Sequence, residues 1–233
     1  MEERHAIQTS VDPVIFTVFD GQLHTLVVKR TIEPYKGCWS LPGGLVDTEQ
    51  DLDLHSAALR KLKEKTNVAA PYLEQVETVG SASRDPRGWS VTVVYYALMP
   101  RPEIALAATH GASEVRWEPV TDGTAAIPLA FDHEKLVRLA LERLRAKVGY
   151  TSVAVHLLPE PFTFLDIQHI HEVILGRKVE KKSLMRRYLG SGVIEEAQGA
   201  RKEGRMRPAQ LYRLKDRRTI HYFTRTMEGP REE

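Results

Sequence analysis

Lys61, Glu64 and Lys65 stand three and four residues apart in a stretch that reads as helix, so their side chains share one face. Three carboxylates at that spacing can hold divalent cations against a diphosphate. Here two of the three are ammonium groups, which cannot ligate magnesium, and metal-dependent hydrolysis is not expected. Arg84 and Arg87 flank a Pro-Gly turn through Asp85, and could present two guanidinium forks to one anion. Lys29 and Arg30, at the end of an apolar run, could add charge, and Tyr35, Trp39 and Trp89 fall where a base could stack. With Glu64 and Asp85 these are the candidate nucleotide-binding residues. The plainer alternatives are core packing for Trp39 and Trp89, an ion pair of Arg84 or Arg87 with Asp85, and a weak Lys61–Glu64 surface pair.

The elements that must position them read as follows. Pro13–Phe19 and Leu23–Lys29 are apolar, β-branched runs around Asp20-Gly21-Gln22, a hairpin signature. A helix from about Leu52 to Thr66 turns Ala58, Leu59 and Leu62 to the core. Strands are expected at 76–83 and 91–98, on either side of the 84–89 turn, and at 115–119. From Asp132, the residues Leu136, Val137, Ala140, Leu141, Leu144 and Val148 recur with a period of 3.6, the mark of an amphipathic helix. Residues 149–160 read as a linker.

The run Leu41-Pro42-Gly43-Gly44 through Arg60-Lys61-Leu62-Lys63-Glu64-Lys65 to Val68 resembles the Nudix box, whose general pattern is G-x5-E-x7-R-E-U-x-E-E-x-G-U with U aliphatic. It departs from that pattern in several places. The three acids after the Arg read Lys61, Glu64 and Lys65, fifteen residues separate Gly44 from Arg60 where the pattern has thirteen, Gln50 falls on the first Glu, and Asn67 on the later Gly. An enzyme could survive this only by re-siting its acids among Asp47, Glu49, Asp51 and Asp53. The expected N-terminal architecture is a Nudix-like α/β/α sandwich over residues 1–150, with no catalytic and no metal-ligating residues and no required cofactor.

Residues 151–233 follow a different order. Phe162 to Leu175 marks one helix ending at Gly176, Glu180 to Leu189 a second, and 193–196 and 209–214 two strands. Helix, turn, helix and hairpin is the order of a winged helix-turn-helix domain. On the second helix Lys182, Ser183, Arg186 and Arg187 can face outward together beside Lys181, as a recognition helix in a major groove requires. Arg201, Lys202, Arg205 and Arg207 make the strand connection a cationic wing for backbone or minor groove. Charge is divided accordingly: residues 1–149 hold 17 Lys and Arg against 20 Asp and Glu, residues 150–233 hold 16 against 11. The basic part is expected to bind double-stranded operator DNA. His169 and His171, two apart on a helix, face different ways and make a poor metal pair.

The Leu41–Gly44 run, the degenerate helix, the 83–91 turn and the closing Pro208-Ala209-Gln210-Leu211-Tyr212-Arg213 together resemble the Nudix-related transcriptional regulators of NAD metabolism. The resemblance covers roughly residues 10–225. It implies a homodimeric, ligand-responsive repressor, not an enzyme, in which a nucleotide such as ADP-ribose or NAD releases operators of NAD synthesis or salvage genes. The rival is a Nudix hydrolase, an ADP-ribose pyrophosphatase, with an accessory C-terminal domain. The rest of the composition is ordinary: 233 residues, 42% hydrophobic, with the lone Cys38 read as structural. No apolar run reaches membrane length and no secretory leader is evident, so a cytoplasmic protein without membrane contact is expected.

Overall fold

In the computed structural model, residues 7–66, 72–100, 112–201 and 209–223 are described. They fall into two compact units, Met1–Arg143 and Leu144–Glu233.

The first unit is built on an eight-stranded mixed sheet. Its strands are β1 (Gln8–Phe19), β2 (Gln22–Arg30), β3 (Trp39–Ser40), β4 (Gly44–Leu45), β5 (Leu73–Ser81), β6 (Ser90–Leu98), β7 (Ala112–Thr121) and β8 (Thr124–Ala125). The path runs β5-β6-β1-β2-β7-β8, with β3 paired to β2 and β4 to β1. The β1–β2 hairpin closes at Phe19↔Gln22, with Asp20 at φ 50° and Gly21 at φ 72°. Both central residues are thus left-handed, the geometry that lets a two-residue turn follow the strand twist. β1 and β6 pair in parallel, which needs a crossover, and the helix α1 (Leu54–Thr66) lies within it.

Alternation along the strands decides what α1 covers. Val11 and Ile15 of β1, and Val93, Tyr95 and Ala97 of β6, pack with Ala57, Ala58 and Leu62. Leu59, read from sequence as core, is 38% exposed; the buried stripe passes through Ala57 instead. The opposite face, with Val14, Phe16, Val94, Tyr96 and Leu98, is buried as well, completing the sandwich. Beside β5, Arg143 of α2 (His133–Val148) donates to the Val76 carbonyl at 2.9 Å. All six apolar positions expected to face inward on that helix are buried.

The second unit contains a 3₁₀ turn (Val153–Leu157), α3 (Phe164–Leu175), α4 (Lys181–Ser191) and the hairpin β9 (Ile194–Arg201) and β10 (Ala209–Leu214). A capping box starts α3: Thr163 Oγ1 accepts from the Asp166 amide at 3.2 Å, and Asp166 accepts from the Thr163 amide at 2.7 Å. Gly176 ends it at φ 65° and Gly192 ends α4 at φ 66°, both left-handed. The expected linker is instead part of the core. Val153, Ala154, Val155 and Leu157 are buried, the Ser152 amide donates to the His221 carbonyl at 2.9 Å, and the Phe223 amide to that of Tyr150 at 2.8 Å. Glycine and prolines at its ends suggested a connector, but the apolar run between them needed cover.

Candidate functional site: a charged cleft and a basic helix

One end of the first unit's sheet opens into a cleft of about 540 Å³, within the range of small-molecule sites. Asp12, buried on β1, forms its floor. Thr92 Oγ1 donates to its Oδ2 at 2.7 Å, Arg84 Nη2 lies 3.5 Å from the same oxygen, and His133 Nε2 lies 3.8 Å from Oδ1. The imidazole of His133 accepts the Leu41 amide at Nδ1 (2.9 Å), so its proton sits on Nε2, toward Asp12. Burial holds the His133 pKa below its ordinary value, keeping the ring neutral. Gly43 lies so close that a Cβ there would stand 1.7 Å from Asp12 Oδ1. The Leu41–Gly44 loop is therefore clamped between β1 and the start of α2.

The box helix contributes Lys61 and Glu64. The Lys61 ammonium lies 3.2 Å from where a Cβ on Gly44 would stand, against the loop backbone, and 3.5 Å from Glu64 Oε2. Arg60 holds the other Glu64 oxygen at 2.8 Å. Burial works against Glu64 ionisation, but the Arg60 bond and the nearby Lys61 charge outweigh it and leave its pKa below the ordinary value. The backbone of Lys65 is within α1, but its side chain lies outside the described residues, as does Asn67.

Three of the four carboxylates that could have been re-sited, Asp47, Asp51 and Asp53, are engaged in shaping the preceding loop. Asp51 takes a two-pronged bond from Arg60 (2.7 and 2.6 Å), which pulls its pKa down to about 2. It is Asp51, not the neighbouring Gln50, that meets the helix arginine. Asp53 accepts the Ser56 amide at 2.7 Å, starting α1, and Asp47 accepts from the Glu49 amide and the Gln50 side chain. Among the described residues, no group of three or more His, Cys, Asp and Glu side chains is placed to hold a metal ion.

Arg84 and Arg87 do line the cleft, yet both are already paired. Arg84 is buried and donates to Asp132 Oδ1 at 3.0 Å and Oδ2 at 3.2 Å. Arg87 is bonded to Asp85 at 2.7 Å, and that bond, above all, holds the Asp85 pKa below its ordinary value. Arg30 also lines the cleft; it donates to the Pro34 carbonyl at 2.8 Å and lies 4.9 Å over the Phe131 ring. Tyr35 meets Phe131 edge-on at 4.7 Å from beside the cleft.

Three candidates lie elsewhere. Lys29 is next to Arg30 on β2, and neighbours on a strand point to opposite faces. It pairs with Glu114 at 2.6 Å and lies near Trp39, which Arg116 also covers at 4.2 Å. Trp89 is half exposed and lies against Gly80. Lys29, Trp39 and Trp89 thus do not line the cleft. The residues missed were Asp12, Phe131, Asp132 and His133. An aspartate in the middle of the apolar Val11–Phe16 run was the one visible hint.

In the second unit, α4 presents Lys181, Lys182 and Arg186 to solvent, with Ser183 half-buried and Leu184 and Tyr188 inside. No acidic residue offsets the lysines in its first turn, so they oppose the helix dipole. Arg187 is anchored rather than free: it donates to the Gly149 carbonyl at 3.0 Å and lies 5.2 Å from the Phe223 ring. Its carbon stem and fork are committed to packing, which a helical wheel cannot show. Arg201 is the last residue of β9, but its side chain lies outside the described residues, as do Lys202, Arg205 and Arg207. His171 is buried and bonded to the Ile167 carbonyl at 2.7 Å and to Tyr188. No helix among the described residues is long and apolar enough to cross a membrane.

Comparison with known proteins agrees with this two-part architecture. Residues 9–140 match the NUDIX domain family, and residues 154–214 match the NrtR DNA-binding winged helix domain. An Acinetobacter baylyi protein described as ADPR responsive transcriptional repressor NtrR is 44% identical, spanning 95% of this chain and 88% of its own. Shewanella oneidensis NrtR, solved with a 27mer DNA, is 46% identical and superposes with a TM-score of 0.82 over 89% of this chain and 93% of that one. The NUDIX domain of the same Shewanella protein, solved with ADP ribose, is 48% identical, with a TM-score of 0.55 over 60% of this chain and 90% of that one. The chain belongs to the NrtR family, in which a Nudix domain is joined to an NrtR-type DNA-binding winged helix.

Proposed function

We propose that this protein is an ADP-ribose-responsive transcriptional repressor whose Nudix cleft binds the nucleotide without hydrolysing it. The observation that carries the reading is Lys61. Where a hydrolase needs a carboxylate to recruit magnesium, an ammonium projects into the cleft against the Leu41–Gly44 loop. A fixed cation offsets diphosphate charge, as a metal would, but activates no water. NAD, with the same diphosphate, is the second candidate effector, and neither requires a cofactor.

Arg30, Ile32 and Phe131 form an apolar and cationic wall suited to stacking a base, while Lys61, Arg84 and Arg87 supply the charge for phosphates. DNA is bound by residues 151–233 through Lys181, Lys182, Ser183 and Arg186 of α4, with Arg201, Lys202, Arg205 and Arg207 as wing contacts. Two such helices in a homodimer read paired half-sites, and residues 1–150 sense the ligand. Operators beside genes of NAD synthesis or salvage are the expected targets.

Calorimetric titration with ADP-ribose in chelator, on wild type and Lys61→Ala, tests the charge-replacement idea. Wild type should bind without metal and Lys61→Ala about tenfold more weakly, the loss of roughly one charge-assisted contact. Equal affinities would discard the role of Lys61. Release of AMP and ribose 5-phosphate from ADP-ribose in magnesium or manganese at about 1 per second or faster, an ordinary enzyme rate, would instead establish the pyrophosphatase reading.

A further inference from the structure

Asp132 is built to serve two partners and in this structure serves one. Its backbone carbonyl accepts from the Lys135 amide at 2.9 Å and the Leu136 amide at 3.3 Å, so it is the residue that opens α2. An aspartate there ordinarily turns its carboxylate back onto the amides of the first helical turn. Here both carboxylate oxygens are turned to Arg84 instead, at 3.0 and 3.2 Å. The residue before it, Phe131, is held at φ 59°, a left-handed conformation that is costly for a bulky side chain.

The two carboxylates on Arg84 are not equivalent. Asp12 is fixed by Thr92, stands 3.5 Å from the guanidinium and is only 6% exposed. Asp132 is 19% exposed, and its side-chain bonds go to Arg84 alone among the described residues. A diphosphate entering the cleft therefore finds Arg84 neutralised by a carboxylate that has somewhere else to go. It gains the guanidinium fork by displacing Asp132, which can then cap its own helix.

We propose that Asp132 is the residue through which occupancy of the cleft is relayed, competing with the nucleotide diphosphate for Arg84 and falling back onto the α2 amides when displaced. This rests on the reading of the cleft as a nucleotide sensor. It supplies the two-state element that such a sensor needs, because the two arrangements of Asp132 bind the ligand differently. α2 begins at that residue, and its last turn, from Leu144, belongs to the second compact unit.

The test uses full-length wild type, Asp132→Asn and Asp132→Ser. Both substitutions remove the competing charge and keep a side chain able to cap α2. Calorimetry with ADP-ribose in chelator is paired with anisotropy of a labelled DNA fragment that the wild type has selected from a random pool. The variants should bind ADP-ribose roughly tenfold more tightly, since the ligand no longer has to break a charged pair. By linkage they should bind the DNA more weakly without nucleotide and lose less affinity when it is added. ADP-ribose affinity unchanged or weakened in a variant that melts like wild type, or a full-sized DNA response, overturns the proposal. If one variant fails to fold, the other decides, since they differ in side-chain volume. A wild type that takes up no ADP-ribose removes the functional reading itself and this proposal with it, which separates the two failures.

Discussion

Gly43 leaves no room for a side chain against Asp12. A methyl group on Gly43 would stand 1.7 Å from Asp12 Oδ1 and 2.8 Å from the Val11 carbonyl. Neither neighbour can give way easily: Val11 is paired to Gly44 within the sheet, and Asp12 is held by Thr92. Gly43→Ala should therefore cost about 1–3 kcal/mol, as overpacking in a rigid interior does. Urea denaturation measures it, and a midpoint equal to wild type would mean that the loop shifts freely. Residues of this kind were the hardest to read in advance. The partners of Asp12, namely Thr92, Arg84 and His133, lie 80, 72 and about 120 positions away, and no local spacing announces them. Lys61 and Glu64, by contrast, were legible because helical periodicity alone puts them on one face.

Elements with a strong local signal came out as expected from sequence: the Asp20-Gly21 hairpin, the helix stop at Gly176 and the apolar stripe of α2. Those whose role is set by distant packing did not. Much of the 149–160 segment became core, and Leu59 turned outward where Ala57 is buried. α4 shows the same limit within one face, since Arg186 and Arg187 are neighbours in sequence with different work. Arg186 is exposed, whereas Arg187 binds the Gly149 carbonyl and covers Phe223. Arg186→Ala and Lys182→Ala should each weaken operator binding and lower the salt dependence of log K by about one unit per lost phosphate contact, with melting unchanged. Arg187→Ala should instead lower stability by about 1–2 kcal/mol, because it strips a bond from a partly buried carbonyl. Equal salt slopes for wild type and Arg186→Ala would remove that side chain from the interface.

At the scale of the whole molecule, the buried histidines set how the protein meets acid. His24 and His133 in the first unit, and His156 and His171 in the second, all have pKa values lowered, chiefly by burial, His171 to about 4. In the unfolded chain each returns to about 6.5, so between those values the unfolded state binds more protons than the native one. Their contribution is complete above about pH 6.5 and shrinks as pH falls, each buried ring adding up to about 1.4 kcal/mol per pH unit to the slope. Asp51 acts in the same sense at lower pH: Arg60 holds it at about 2, so its contribution is complete above the ordinary aspartate value and is lost as pH falls from there toward 2. Stability should thus fall in two stages, through the histidines from pH 6.5 to about 4 and through Asp51 below that. His171→Phe keeps a ring against Tyr188, its edge-to-face neighbour at 5.8 Å, and removes one titrating group. Urea midpoints across pH 7.5 to 4.5 should then decline less steeply than in wild type, by about one proton's worth of slope. Parallel lines for the two proteins would show that His171 binds protons as readily in the fold as outside it.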